Sequence, residues 1–327
     1  MPSATLAETT PGRSRLNRPF SAIIVAIAAV LAACATLYAS EDGITTHPDG
    51  LFDLMAGYVP PPGTAFSKNY FFFTDASITA TTQDGRVRKQ VGLTTYAIGL
   101  ELGYVADLWI LGSPWAFTAI VPFVGITESS RLSIPGTTFS RRHSSKVGGL
   151  GDSILVPCAL HWDYGQFHLL TDLAVYAPTG NYDPDREVNT GLNRWALEPD
   201  IGLTWLNEQF GQEVSLLIGY TINAENTDTH YHSGQEFHAD FAIAQHLSPG
   251  MEFGMAGYGF QQTTGDEGSG AVLGPFKGRA IALGPIFGYD FKIRAIPALV
   301  TFKYLFEFLN QNRLSGNQLW FTIAFQF

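Results

Sequence analysis

The last nine residues, Leu319-Trp320-Phe321-Thr322-Ile323-Ala324-Phe325-Gln326-Phe327, alternate strictly between two faces. Leu319, Phe321, Ile323, Phe325 and Phe327 fall on one side of an extended strand, and Trp320, Thr322, Ala324 and Gln326 on the other, because successive strand side chains point in opposite directions. A sheet in water would bury the apolar row and end in a polar tail. An amphipathic strand that stops at a bare Phe fits the closing strand of a transmembrane β-barrel, with one face toward lipid and the other toward a polar lumen. Phe327 is then expected to be the signal read by the barrel-assembly machinery.

The opposite end of the chain agrees with export. Arg13, Arg15 and Arg18 precede an apolar run from Phe20 to Ala33, and small residues follow up to Ala39-Ser40, the order of a secretory signal peptide. The run falls short of the roughly 20 apolar residues that a membrane anchor needs. Leu31-Ala32-Ala33-Cys34 also fits a lipobox, so cleavage after Ala39 and lipidation at Cys34 both stand as alternatives. The expected organisation is a signal over 1–39, a periplasmic segment over 40–65 and a barrel over 66–327.

After Ala39 the one remaining cysteine is Cys158, so no intrachain disulfide supports the exported protein. The chain has 19 Lys+Arg and 29 Asp+Glu; removing Arg13, Arg15, Arg18 and Glu8 leaves 16 against 28, a net charge of −12. Such an acidic chain is a poor match for nucleic acid. Beyond the signal no segment approaches 18 consecutive apolar residues, although there are 24 Phe, 13 Tyr and 6 Trp. Membrane residence therefore requires a closed barrel, since strands can satisfy every backbone group in lipid only when no edge is left open.

Period-two alternation bounded by turn residues predicts twelve antiparallel strands, at 66–79, 91–105, 115–127, 151–162, 166–177, 194–207, 213–224, 235–247, 251–263, 276–290, 298–309 and 317–327. The even-numbered links are mostly short, such as Asp163-Tyr164-Gly165, Asn207 to Gln212, Ser248-Pro249-Gly250 and Phe291 to Pro297. The odd links run long and polar: Glu128 to Gly149, Pro178 to Asn193, Asn223 to Gly234 and Thr264 to Pro275. That parity is the asymmetry of outer-membrane barrels, with tight periplasmic turns and longer outer loops. Both termini are accordingly expected on the periplasmic side.

Three strands divide cleanly by face. Trp195, Leu197, Pro199, Ile201, Leu203 and Trp205 oppose Arg194, Glu198, Asp200 and Thr204. Phe237, Ala239, Phe241, Ile243 and Leu247 oppose Glu236, His238, Asp240 and His246. Val300, Phe302, Tyr304, Phe306 and Phe308 oppose Thr301, Lys303 and Glu307. Mid-strand charges confined to one face are costly in a dry core and acceptable in a hydrated lumen.

Several motifs follow one another in a familiar order. They are Gly149-Leu150-Gly151-Asp152, Pro178-Thr179-Gly180-Asn181-Tyr182-Asp183, Asn189-Thr190-Gly191-Leu192-Asn193-Arg194-Trp195, Asn226-Thr227-Asp228, Ser233 to Asp240, Gln262-Thr263-Thr264-Gly265-Asp266 and Phe276-Lys277-Gly278-Arg279. With Ser40 to Gly43 and Pro60 to Gly63, they give the chain a resemblance, over essentially its whole exported length, to the meta-pathway phenol degradation family. The resemblance implies an outer-membrane transport-type barrel associated with aromatic catabolism and implies no catalytic chemistry. Thr229-His230-Tyr231-His232 departs from the shorter Asp-Tyr run expected there.

The candidate solute path is the lumen wall: His168, Asp172, Arg194, Glu198, Asp200, Glu236, His238, Asp240, Lys303 and Glu307 share the face away from lipid. Twelve strands lie between the eight that side chains can fill and the sixteen that leave a wide channel, so an open path and a charged plug both remain. The expected partners are outer-membrane lipid and a small hydrophobic or aromatic solute. No cofactor is expected.

His230, His232 and His238 with Asp228 and Glu236 include good metal ligands, but His238 belongs to a strand and the other histidines to a loop, so no metal site is expected. Asp183-x-Asp185-x-Glu187-x-Asn189 has calcium-loop spacing but carries Val188 where Gly is needed and Arg194 in place of the closing Glu. Gly148-Gly149-x-Gly151 lacks the Lys-Ser/Thr of a phosphate loop. His143 and Ser145 raise a second class, a barrel-embedded lipid hydrolase, but no orienting third group is evident. The expectation is a non-enzymatic barrel, with a non-transporting structural barrel as a further alternative.

Overall fold

The computed structural model describes residues 44–81, 88–133, 140–247, 250–271, 274–275 and 277–327. The export signal over 1–39 and Cys34 lie outside the described residues. The strands are β1 (Ala65–Thr81), β2 (Arg88–Ile110), β3 (Ser113–Ser133), β4 (Ser140–Leu150), β5 (Ser153–Tyr164), β6 (Phe167–Ala177), β7 (Ala196–Asn207), β8 (Gln212–Asn223), β9 (Glu225–Asn226), β10 (Tyr231–His232), β11 (Glu236–Leu247), β12 (Met251–Gln262), β13 (Arg279–Ile293), β14 (Ile296–Gln311) and β15 (Ser315–Gln326). Antiparallel pairing runs β2-β1-β15-β14-β13-β12-β11-β8-β7-β6-β5-β3, and β2 also pairs with β3, so the sheet closes. β4 and β5 together make one stave, and β9 and β10 form a separate loop hairpin, leaving a barrel of twelve staves.

The quoted C-terminal strand performs the closure. β15 pairs with β1 from Phe66↔Gln326 to Ser77↔Ser315, and Phe327 and Ala65 exchange backbone hydrogen bonds of 2.7 and 3.2 Å. Its faces divide as the alternation requires: Trp320, Thr322 and Gln318 are buried inside, while Phe321 is exposed outside. Across the barrel Tyr96, Leu102, Leu197, Ile201, Phe253, Phe287, Phe302 and Phe308 are likewise exposed. An apolar belt of this extent greatly exceeds the patches tolerated on a protein surrounded by water and matches a hydrocarbon layer.

The fourth stave differs from expectation. Glu128 to Gly149 was read as a loop, yet β3 continues to Ser133 and pairs with β4 from Phe123↔Leu150 to Ser133↔Ser140. After Gly151 and Asp152 the chain resumes as β5, pairing with the lower part of β3 from Trp115↔Leu160 to Ile120↔Ile154. The sequence Ser-Arg-Arg-His-Ser-Ser-Lys of β4 shows no apolar alternation. A hairpin that projects beyond the lipid belt is wet on both faces, so nothing selects a period of two.

The short links are tighter than predicted. Leu111-Gly112 is a two-residue turn with both residues at positive φ (53° and 78°), the geometry that suits strand twist in a hairpin. At the other end the motif residues act as clamps. Asp152 accepts N–H from Gly180 (2.8 Å) and Leu192 (2.6 Å), and Asp266 accepts from Gly234 (3.0 Å), Gln262 (2.6 Å) and Tyr231 (2.7 Å). A Cβ on Gly180 would lie 2.4 Å from the Gly191 Cα, so glycine is what lets these two loop segments cross.

The largest departure concerns the segment before β1. Residues 40–65 were expected to lie in the periplasm, but the described part enters the barrel and fills its middle: His47, Asp49, Leu51, Asp53 and Leu54 are all buried. Leu51 and Leu54 belong to one buried apolar cluster with inward-facing Tyr70, Ile120, Tyr176, Tyr258 and Trp320. Among the described residues the segment has no strand partner, so its backbone donors need other acceptors; Leu51, Leu54 and Tyr58 find theirs within the segment, and the wall supplies others.

Candidate functional site

Three strands present oxygen acceptors to the buried segment at intervals along it. The Thr46 N–H meets Glu236 (3.1 Å), those of Gly50 and Phe52 meet Asp240 (3.3 and 3.0 Å), Met55 meets Glu213 (2.6 Å) and Gly57 meets the Thr204 hydroxyl (2.9 Å). These acceptors come from β7, β8 and β11, whose inward face is polar by alternation. Glycine is required where the plug touches the wall: a Cβ on Gly202 would sit 2.2 Å from the Ala56 carbonyl oxygen, and one on Gly57 2.2 Å from that of His168.

Charge reinforces the attachment. Lys303 on β14 donates to Asp53 and to the Phe52 carbonyl oxygen, both at 3.0 Å, and Lys68 lies 3.7 Å from the same carboxylate. Burial alone would raise the Asp53 pKa; Lys303 and Lys68 overcome it and hold the group below its ordinary value. Arg313 binds Asp49 at 2.5 Å, and Arg194 donates to the Thr46 hydroxyl at 3.0 Å. At the centre, His47 stacks on His238 with ring centroids 3.6 Å apart, and its Nδ1 lies 2.9 Å from Glu198.

The residues read as a lumen wall are therefore distributed as follows. Arg194, Glu198, Asp200, Glu236, His238, Asp240 and Lys303 are all buried, and every one of them faces the plug or a group bound to it. Asp172 sits directly across from Asp200 on the paired strand. His168 does not join them, bonding Asp163 beside the β5–β6 turn; Glu307 bonds Tyr258 and the Gly316 N–H, lies 3.9 Å from Arg313 and lines the cavity on the long-loop side. Sequence reasoning missed His47, Asp49, Asp53, Arg313 and Glu213. The available signal was a surplus of wall carboxylates without enough wall cations to match them.

On the long-loop side of the plug lies a cavity of about 300 Å³. Leu51, Tyr70, Phe72, Ala97, Ile120 and Trp320 line its apolar part, and Asp49, Arg194 and Arg313 its polar part. Its size is at the lower end of small-molecule sites, which combine apolar walls with a few polar groups.

His230 bonds Glu225 and His232 bonds the Asn223 carbonyl oxygen. Asp183 and Asn189 bond each other. His143 lies in β4 and pairs through Nε2 with Glu187 of the neighbouring loop at 2.8 Å. Among the described residues two groups have metal-ligand spacing: His47, Glu198 and His238 in the interior, and His161, Asp163 and His168 at the short-turn rim.

Comparison with known proteins settles the family. The model of the family described as "Putative MetA-pathway of phenol degradation" matches residues 74–323. The chain belongs to this family. Among solved structures, the COG4313 outer membrane channel from Pseudomonas putida F1 aligns at 15% identity over 84% of this chain and all of its own, with a TM-score of 0.63. That similarity shows a common fold, and this family member is an outer-membrane β-barrel. A Pseudomonas aeruginosa FadL homologue aligns at 10% identity over 89% of this chain and 98% of its own, with a TM-score of 0.38, too distant to carry any inference. No curated protein sequence matches.

Proposed function

We propose that this barrel is a channel for uptake of small, largely uncharged hydrophobic solutes, aromatic compounds among them, and that it serves aromatic catabolism. The observation that carries the reading is the apolar cavity inside a closed barrel, bounded by Tyr70, Phe72 and Trp320 and opening toward the long loops. An aromatic solute gains there by leaving water, at about 25 cal/mol per Å² of apolar surface buried, and by ring stacking. The long loops face the exterior and the short turns and both termini face the periplasm. Segment 44–57 then stands between the cavity and the periplasmic mouth, and passage requires it to shift. The wall residues Glu198, Asp200, Glu236 and Asp240 act by setting how firmly that segment is held, and no residue is assigned a catalytic role.

The test is equilibrium binding of labelled naphthalene to the purified protein in detergent. Saturable binding is expected, with loss in Ala97→Trp, where an indole would fill the cavity. Ala97→Trp must retain the heat-dependent gel shift of a folded barrel. Absence of saturable binding to the wild type, or equal binding by Ala97→Trp, would remove the cavity from the account.

A further inference from the structure

The centre of the barrel holds more ligating atoms than the plug uses. His238 on β11 is 1% exposed, and among the described residues neither of its ring nitrogens has a hydrogen-bond partner; His47 Nε2 and Asp200 Oδ1 are also buried and, among the same residues, without one. Buried polar atoms are otherwise nearly always satisfied. His47 Nδ1 lies 2.9 Å from Glu198 Oε1, His238 Nε2 lies 3.4 Å from the same oxygen, and Asp200 Oδ1 is 3.7 Å from His238 Nε2. A tetrahedral ion with bonds of about 2.0–2.1 Å holds its donors about 3.3 Å apart, and these separations bracket that value.

The surroundings are built to keep these groups together. Tyr176 donates to Glu198 Oε1 at 2.7 Å and the Thr221 hydroxyl bonds its other oxygen, the outer-layer support that orients a ligating carboxylate. A Cβ on Gly219 would fall 2.1 Å from both Asp200 Oδ1 and His238 Nε2, so only glycine leaves room for the pair.

We propose that His47, His238 and Glu198, with Asp200 as fourth donor, bind one divalent transition-metal ion of the zinc class. Two imidazoles and two carboxylates suit Zn²⁺ over Ca²⁺ or Mg²⁺. Binding turns the rings out of their stack so that both lone pairs meet the ion. One ligand comes from the plug and three from the wall, so the ion fastens residues 44–57 to β7 and β11. The ion's presence at the site stands apart from the solute reading; only its effect on passage rests on it.

The experiment uses the full exported chain without a histidine tag, refolded in detergent, stripped with chelator and titrated with Co²⁺ and then Zn²⁺. One equivalent of Co²⁺ with the intense visible absorption of a tetrahedral site, displaced by Zn²⁺, is expected. His47→Ala and His238→Ala should each weaken binding by at least about tenfold, while His168→Ala at the rim should leave it unchanged. His47 lies outside the barrel wall, so His47→Ala remains decisive if His238→Ala does not fold. No stoichiometric binding by the wild type, retention of full affinity in His47→Ala, or loss of binding in His168→Ala alone would each overturn the assignment.

Discussion

Lys303→Met tests the electrostatic attachment of the plug with a magnitude that can be worked from the structure. The ammonium is 1% exposed and donates to Asp53 Oδ2 and the Phe52 carbonyl oxygen at 3.0 Å each. Met fills nearly the same volume, so packing against Trp320, whose ring lies 5.5 Å from the ammonium, is largely kept. What is lost is the counter-charge of a carboxylate that is itself 2% exposed, with Lys68 left at 3.7 Å. Removing one member of a buried pair costs about 3–5 kcal/mol. In Lys303→Met/Asp53→Asn no orphan charge remains, Asn can still accept the Leu54 N–H seen at 2.8 Å, and the cost should fall to about 1–2 kcal/mol, the worth of the remaining hydrogen bonds. Urea unfolding of the three variants in detergent, with proteolysis within residues 44–64 followed in parallel, measures both. A single-variant cost below about 1 kcal/mol, or a double variant that costs as much as the two singles added, would refute the reasoning.

Other outcomes follow from the same geometry. Asp240→Ala removes the acceptor of the Gly50 and Phe52 N–H groups, two charge-assisted bonds of about 1.5–3 kcal/mol each, and should raise single-channel conductance in planar bilayers by loosening the plug while the barrel still folds. Because Asp53 titrates below its ordinary value, its contribution is complete above the unfolded pKa of about 3.9 and is lost as pH falls through the folded value; protease access to residues 44–64 should rise on acidification below about pH 4 in the wild type and vary much less with pH in Asp53→Asn. Phe287→Arg places a charge on the exposed apolar belt and should destabilise insertion into lipid vesicles by up to about 2–4 kcal/mol if the site is near mid-bilayer, whereas Tyr164→Arg, at a turn, should cost much less.

The parts of the fold legible in the sequence are those where one face meets lipid. β7, β14 and β15 alternate because a single-residue slip would put Glu198 or Lys303 into hydrocarbon. β4 left no such trace, since Ser-Arg-Arg-His-Ser-Ser-Lys carries no apolar alternation. The wall half of the site was legible for the same reason as the strands: Glu198, Asp200, Glu236, His238 and Asp240 are charges on a face that alternation fixes. The plug half was not. Thr45-Thr46-His47-Pro48-Asp49-Gly50 has no strand or helix period, and its place is set by long-range bonds such as Gly50 to Asp240, 190 positions apart. A metal site split between such a segment and two strands carries no spacing motif, which is why His47 and His238 were never brought together by sequence reasoning.

The most direct test of the channel reading is uptake of a labelled uncharged aromatic hydrocarbon by intact cells whose lipopolysaccharide-bearing outer membrane lacks this barrel, before and after the gene is restored. The account predicts that the wild-type chain raises the initial uptake rate well above the background, and that Ala97→Trp, inserted to the same level in the outer membrane, returns it to that background. Equal rates with and without the wild-type barrel, or undiminished uptake through Ala97→Trp, would contradict it.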